Sequence, residues 1–158
     1  MKKGGVKLAA SILICLTAGL IGAVFTIDSV QTWYKTIEKP SYSPPNWVFG
    51  PVWTILYVLM GVSAYLIWVK GLEKKEVRTA LMFFALQLIL NALWSILFFG
   101  MRNPFYGLIE IVFLWAAIAI TIQKFYKISR TAAYLQIPYI CWVSYAAFLN
   151  YGIWRMNM

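Results

Sequence analysis

Five apolar runs, each about twenty residues or longer, occupy most of this chain: roughly Val6–Ile27, Pro44–Val69, Arg78–Gly100, Pro104–Gln123 and Thr131–Trp154. A helix rising 1.5 Å per residue needs about twenty residues to cross ~30 Å of hydrocarbon, so each run is long enough to span a bilayer. A transmembrane barrel would instead show segments of about ten residues with alternating polarity. No such segments occur. The 62% hydrophobic and 12% charged composition also lies outside the range of soluble domains. The expectation is an all-α protein, a five-transmembrane-helix bundle in which residues 1–158 form a single integral membrane domain. A cleavable signal is the rival reading of the first run. Its apolar core exceeds the 7–15 residues usual for such signals, and no small-x-small cleavage site follows.

The formal net charge is +9, and its distribution carries more information than its size. With five crossings, the N-terminus and the turns near 70–78 and 124–130 share one side. Lys2, Lys3, Lys7, Lys70, Lys74, Lys75, Arg78, Lys124, Lys127 and Arg130 lie there, ten of the fourteen basic residues. Lys35, Lys39, Arg102 and Arg155 lie on the other. The positive-inside rule then places the N-terminus in the cytoplasm and the C-terminus outside, with a bacterial cell membrane as the expected location. The basic residues set orientation and meet anionic membrane lipids, and no nucleic-acid partner is expected. Cys15 and Cys141 each sit inside an apolar run without metal-type spacing, so both read as packing residues and no metal site is expected.

Polar and aromatic residues gather toward the outer side. The loop expected from Asp28 to Ser43 is long for so economical a chain and carries Trp33, Tyr34 and Tyr42. A loop of that kind is more often functional than a spacer. Beside it, "YSPPNWVFGPVW" (Tyr42–Trp53) places Pro44 and Pro45 at an expected first helical turn, where an amide proton is dispensable. Pro51, deeper, is expected to loosen the turns beside Trp53. In the third run Gln87, Asn91 and Trp94 stand at i, i+4 and i+7, on one helical face that should point into the bundle. Trp53, Tyr57 and Trp142 fall at related depths in the second and fifth runs. Together these residues outline a pocket with a lid. Gln87 reads equally well as interhelical glue. Glu110, alone among the acids, lies inside a run. An intramembrane acid is a functional candidate, but this one is placed to reach the interface or to pair with Arg102.

The chain has no histidine. The usual haem ligand and the readiest general base are therefore both missing. No serine–histidine pair, carboxylate pair or phosphate-cradling glycine loop appears either, so conventional acid–base catalysis has little to work with.

The stretches "KPSYSPPNWVFGPVWTILYVLMG" (Lys39–Gly61), "QLILNALWSILFFG" (Gln87–Gly100) and "PYICWVSYAAFLNYGIWR" (Pro138–Arg155) resemble the translocator protein family, which includes the tryptophan-rich sensory proteins of bacteria and the peripheral benzodiazepine receptors of mitochondria. The resemblance covers nearly the whole chain. It implies a five-helix bundle, often a homodimer, with an outward-facing pocket closed by the first loop. It also implies binding of protoporphyrin IX or a related tetrapyrrole, of sterols, and of benzodiazepine-type ligands. Pocket positions that carry over are Trp53, Asn91 and Trp142. Trp33, Tyr34, Pro44 and Pro45 match the loop and second-helix start, and Ala146 and Asn150 match the fifth-helix motif. Leu149, Tyr151 and Arg155 fit a weak sterol-recognition pattern. Glu110 and Tyr145 match no family position.

Three functions follow as expectations. The first is tetrapyrrole binding with light-dependent oxidative degradation, Trp53 and Trp142 passing electrons to a photoexcited ring. The second is a pure receptor or sensor, and the third a transporter of porphyrins or sterol-like lipids. The porphyrin would be ligand or substrate, and no resident cofactor is expected. Small residues in the first run, Ala18 with Gly22 and Gly19 with Ala23, permit close helix approach between copies or within one bundle.

Overall fold

The computed structural model of the chain describes the backbone from Lys2 and side chains from Gly4 to Met158. The side chains of Lys2 and Lys3, counted above in the basic flank, lie outside the described residues. Among the described residues seven α-helices follow in chain order: α1 (Lys2–Gln31), α2 (Trp33–Thr36), α3 (Phe49–Trp68), α4 (Lys75–Ser95), α5 (Pro104–Ile128), α6 (Arg130–Leu135) and α7 (Ile137–Met156). A single 3₁₀ turn, Asn46–Val48, leads into α3, and a π-turn, Ile96–Gly100, extends α4. Five helical stretches result that are long and apolar enough to cross a membrane: Gly4–Gln31, Asn46–Trp68, Lys75–Gly100, Pro104–Ile128 and Arg130–Met156.

Their boundaries depart from the sequence expectation in ways that have local causes. α1 continues through Asp28 to Gln31, so the long loop shrinks. Helical turns continue to be satisfied there, with the Thr32 hydroxyl donating to the Asp28 carbonyl at 2.9 Å. Pro44 and Pro45 precede the 3₁₀ turn rather than sitting inside the helix, Pro45 standing at its N-cap with extended backbone; Pro44 is held out of the α region because a proline follows it. Pro51 is then the third residue of α3, where its missing N–H has no partner to lose. It therefore does not loosen the helix. At the end of the third span the chain turns at Arg102, which stands at φ 53. The ladder widens first, the Met101 amide donating to the Ile96 carbonyl at 2.7 Å. α5 runs on to Ile128, and Ser129 alone forms the turn, accepting from the Ala132 amide at 3.3 Å. The fifth span is broken at Gln136. Pro138 cannot donate to the Tyr134 carbonyl four residues back, which parts α6 from α7.

In space α1 packs on α3 and α4, α4 on α5, α5 on α7, and α6 returns to α3, while α7 meets α3 chiefly through aromatic side chains. The core between them is closed by Cys15, Met60, Ile67, Val77, Ile118, Phe125 and Tyr139, all fully buried. Two glycines set the approach of α1 to α3. A Cβ on Gly61 would strike the backbone of Ile12, and one on Gly19 would strike the Tyr57 ring. Gly22 faces Ser95 in the same way, so this small-residue face serves contacts within the bundle.

Candidate functional site

α1 and α3 touch from Ile12–Gly61 to Gly19–Tyr57 and then part. In the opening between them, toward the α2 end, lies a cavity of about 560 Å³, within the usual range for a small-molecule site. Ala23, Thr26 and Val30 form its α1 wall, and Phe49, Trp53 and Tyr57 its α3 wall. Trp94, Ser95 and Phe99 close one side, Trp142 and Ala146 the other, and Tyr34 of α2 covers the end. Leu20, Ile27, Gly50 and Thr54 also line it and are exposed. The mouth therefore runs along the α1–α3 seam, on the flank of the bundle.

The walls are indoles and phenyl rings in fixed register. Trp53 stacks on Tyr57 with centroids 5.6 Å apart and meets Tyr139 edge-on at 6.3 Å. Trp142 is held edge-on by Phe49 at 6.1 Å and tilted against Tyr145 at 5.5 Å. Its Nε1 is buried without a hydrogen-bond partner among the described residues, so this N–H is a donor free for a ligand acceptor. Trp94 differs: its Nε1 donates to Asn150 Oδ1 at 3.1 Å, and Asn150 Nδ2 donates to the Pro104 carbonyl at 2.7 Å.

Asn91 stands behind the wall. It accepts from the Tyr57 hydroxyl and donates through Nδ2 to the Tyr139 hydroxyl at 3.1 Å. Of the residues singled out from sequence, the structure brings Tyr34, Trp53, Tyr57, Trp94, Trp142 and Ala146 together at the cavity. Asn91 and Asn150 support that wall from behind. Trp33 packs edge-on against Phe98 at 5.8 Å, and Pro44 and Pro45 shape the approach to α3 without lining the cavity. Leu149 is buried while Tyr151 and Arg155 are exposed, so the sterol-like pattern does not share one face.

Glu110 does not reach the interface. It is buried, neither oxygen has a partner among the described residues, and Arg102 instead faces Asp28 at 3.6 Å. Gln87 is likewise buried with its amide unpartnered.

The segment between α2 and α3 is strapped to α7 rather than loose. Asn157 accepts from the Glu38 amide at 3.0 Å and donates to the Glu38 carbonyl at 2.9 Å. Tyr145 donates to the Tyr42 carbonyl at 2.6 Å, and Tyr42 stacks on Phe148 at 4.9 Å. Lys39 Nζ donates to the Tyr34 and Ile37 carbonyls at 2.7 and 2.9 Å and is thereby occupied. Lys35 instead reaches Gln31 Oε1 at 2.9 Å, and Gln31 lines the cavity. Burial, with Tyr145 adding to it, pushes the Tyr34 phenol up to about 12, so it stays a neutral donor.

Sequence reasoning missed the α1 wall, Phe49 and Phe99. The only signal for α1 was the run of small residues at 18–23, which here makes room for Tyr57 and the cavity.

The TspO/MBR family profile matches residues 11–155. The chain is 43% identical over 157 residues to "Tryptophan-rich protein TspO" of Chlorobaculum tepidum, covering 99% of each. It is 48% identical over 151 residues to the protein of the same description from Archaeoglobus fulgidus, covering 96% of this chain and 97% of that one. Against the "Translocator protein" of Homo sapiens it is 38% identical over 139 residues, 87% of this chain and 82% of the other.

Proposed function

The chain belongs to the TspO/MBR family of integral membrane proteins, and on that premise we propose that it binds protoporphyrin IX or a related tetrapyrrole and promotes its light-dependent oxidative degradation. The observation that carries the reading is the cavity at the α1–α3 seam, with the indoles of Trp53, Trp94 and Trp142 on its walls and the Trp142 N–H unclaimed. A flat, apolar ring suits stacking against Trp53 and Trp142, each such contact contributing about 1 kcal/mol beyond its buried area. The unclaimed N–H and Lys35 at the rim supply a donor and a cation for the acidic propionates. A photoexcited ring beside an oxidisable indole permits electron transfer, with dioxygen as the terminal oxidant.

Transport is less well supported, because α1 and α3 close together below Tyr57 and the cavity ends there. In the same proposal the protein lies in a bacterial cell membrane with its N-terminus cytoplasmic and its C-terminus outside. Association as a homodimer would use a face other than Gly19 and Gly22, which are occupied within the bundle.

The test is purified protein saturated with protoporphyrin IX, followed by absorbance and mass in light and in dark. A new product in light alone, slowed in Trp53→Phe, Trp142→Phe at saturation, supports degradation by electron transfer. Unchanged porphyrin in both arms leaves a receptor. Undiminished photodegradation in the double variant removes the electron-transfer role and leaves the two indoles as walls.

A further inference from the structure

At the opposite end of the bundle from the aromatic cavity, the start of α4 and the end of α5 lie side by side. A second cavity of about 390 Å³ lies there, lined by Lys75, Glu76 and Thr79 of α4 and by Lys124, Lys127 and Ile128 of α5. Three ammonium groups and one carboxylate give this lining a formal charge of +2 (three minus one). None of the three lysines is ion-paired among the described residues. Lys124 instead holds its Nζ over the Phe83 ring at 4.9 Å, its stem laid along apolar surface and its charge at the cavity.

Depth and direction decide what this site fits. The two spans, Lys75–Gly100 and Pro104–Ile128, have 26 and 25 residues. At 1.5 Å per residue each exceeds ~30 Å of hydrocarbon by several ångströms, which puts their ends among the headgroups. The first turn of α4 has no side-chain cap, so its amide N–H groups add positive potential toward the same place. From Lys75 and Thr79 the same face of α4 continues through Met82 and Leu86, and from Lys127 and Lys124 that of α5 continues to Ile120. All three of those apolar residues are exposed. A cationic cavity at headgroup depth thus opens onto an apolar track leading into the hydrocarbon. We infer that this is a binding site for an anionic phospholipid, its phosphate among Lys75, Lys124 and Lys127 and its acyl chains along Met82, Leu86 and Ile120.

The test is native mass spectrometry of delipidated protein in detergent, titrated with phosphatidylglycerol, with phosphatidylcholine, and separately with inorganic phosphate. Wild type should retain phosphatidylglycerol over phosphatidylcholine by roughly tenfold, the scale of one to two surface lysines. Lys124→Gln, Lys127→Gln should lose that preference, and Lys124→Arg, Lys127→Arg should keep it. Lys70→Gln, Lys74→Gln removes the same charge from the same end outside the cavity, and it should also keep it. Equal loss in the Lys70, Lys74 variant would mean diffuse attraction and overturn the site. So would an unchanged preference in Lys124→Gln, Lys127→Gln. Inorganic phosphate competing as well as the lipid would overturn the phospholipid assignment.

Discussion

Asn91 and Gln87 lie one turn apart on α4, and residue type and spacing alone do not tell them apart, since both are amides on one inward face. The structure separates them by partner. Asn91 links two tyrosine hydroxyls, whereas Gln87 has none among the described residues. Removing Asn91 leaves both phenols unpaired, so Asn91→Ala should cost about 1–3 kcal/mol. Gln87→Leu removes an unpaired amide of similar size and should cost less than about 1 kcal/mol or stabilise. Reversible unfolding in mixed detergent micelles measures both, and equal losses would show that Gln87 is tied into the bundle after all. Lys35 poses a question of charge rather than packing. It is exposed and pairs with no carboxylate among the described residues, so Lys35→Gln should weaken protoporphyrin IX binding about two- to fivefold, the scale of an exposed ion pair. Binding of the dimethyl ester should not change. An equal effect on acid and ester would remove Lys35 as the propionate partner.

The strap between α2 and α3 was legible only in part. Its aromatics marked it as functional, but not what holds it, because Asn157 and Tyr145 are more than one hundred residues away in sequence. Helix existence and order could be read directly, since runs of twenty apolar residues have few alternatives. Ends were harder: α1 and α5 extend past their apolar runs into polar sequence because a hydrogen-bonded turn costs little once started. The break at Gln136 was foreshadowed by Pro138, yet an apolar run read by length alone hides it. The α1 wall of the cavity was missed for a similar reason, since an apolar face toward a pocket looks the same as one toward lipid. At this scale Asn157→Ala removes a two-way clamp on Glu38. It should raise protease cleavage within residues 37–43 several-fold while leaving the unfolding midpoint nearly unchanged. Bound protoporphyrin IX should slow cleavage in both proteins, through Tyr34 at the cavity end. Cleavage indifferent to both the substitution and the ligand would make the strap a spacer.

For the whole molecule the bundle is asymmetric: an aromatic cavity near one end, unpaired lysines at the other. The proposed orientation, with the lysine-rich end in the cytoplasm, rests on that asymmetry. In a background lacking Cys15 and Cys141, Ser41→Cys should react with an impermeant maleimide on intact cells, and Lys74→Cys only with a permeant one. The reverse pattern would place the cavity on the cytoplasmic side. The central claim is that the α1–α3 cavity is where a tetrapyrrole binds, and it is tested most directly by filling it. Ala23 and Ala146 line different walls and each is only half-buried, so a phenyl ring there enters space rather than core. Protoporphyrin IX should be titrated in the dark, by tryptophan quenching, against Ala23→Phe, Ala146→Phe and the exposed control Ala85→Phe. Both cavity variants should bind at least about tenfold more weakly, a loss of ~1.4 kcal/mol, with folding intact, and the control should match wild type. Wild-type affinity in Ala23→Phe and Ala146→Phe alike would contradict the account and move the site elsewhere.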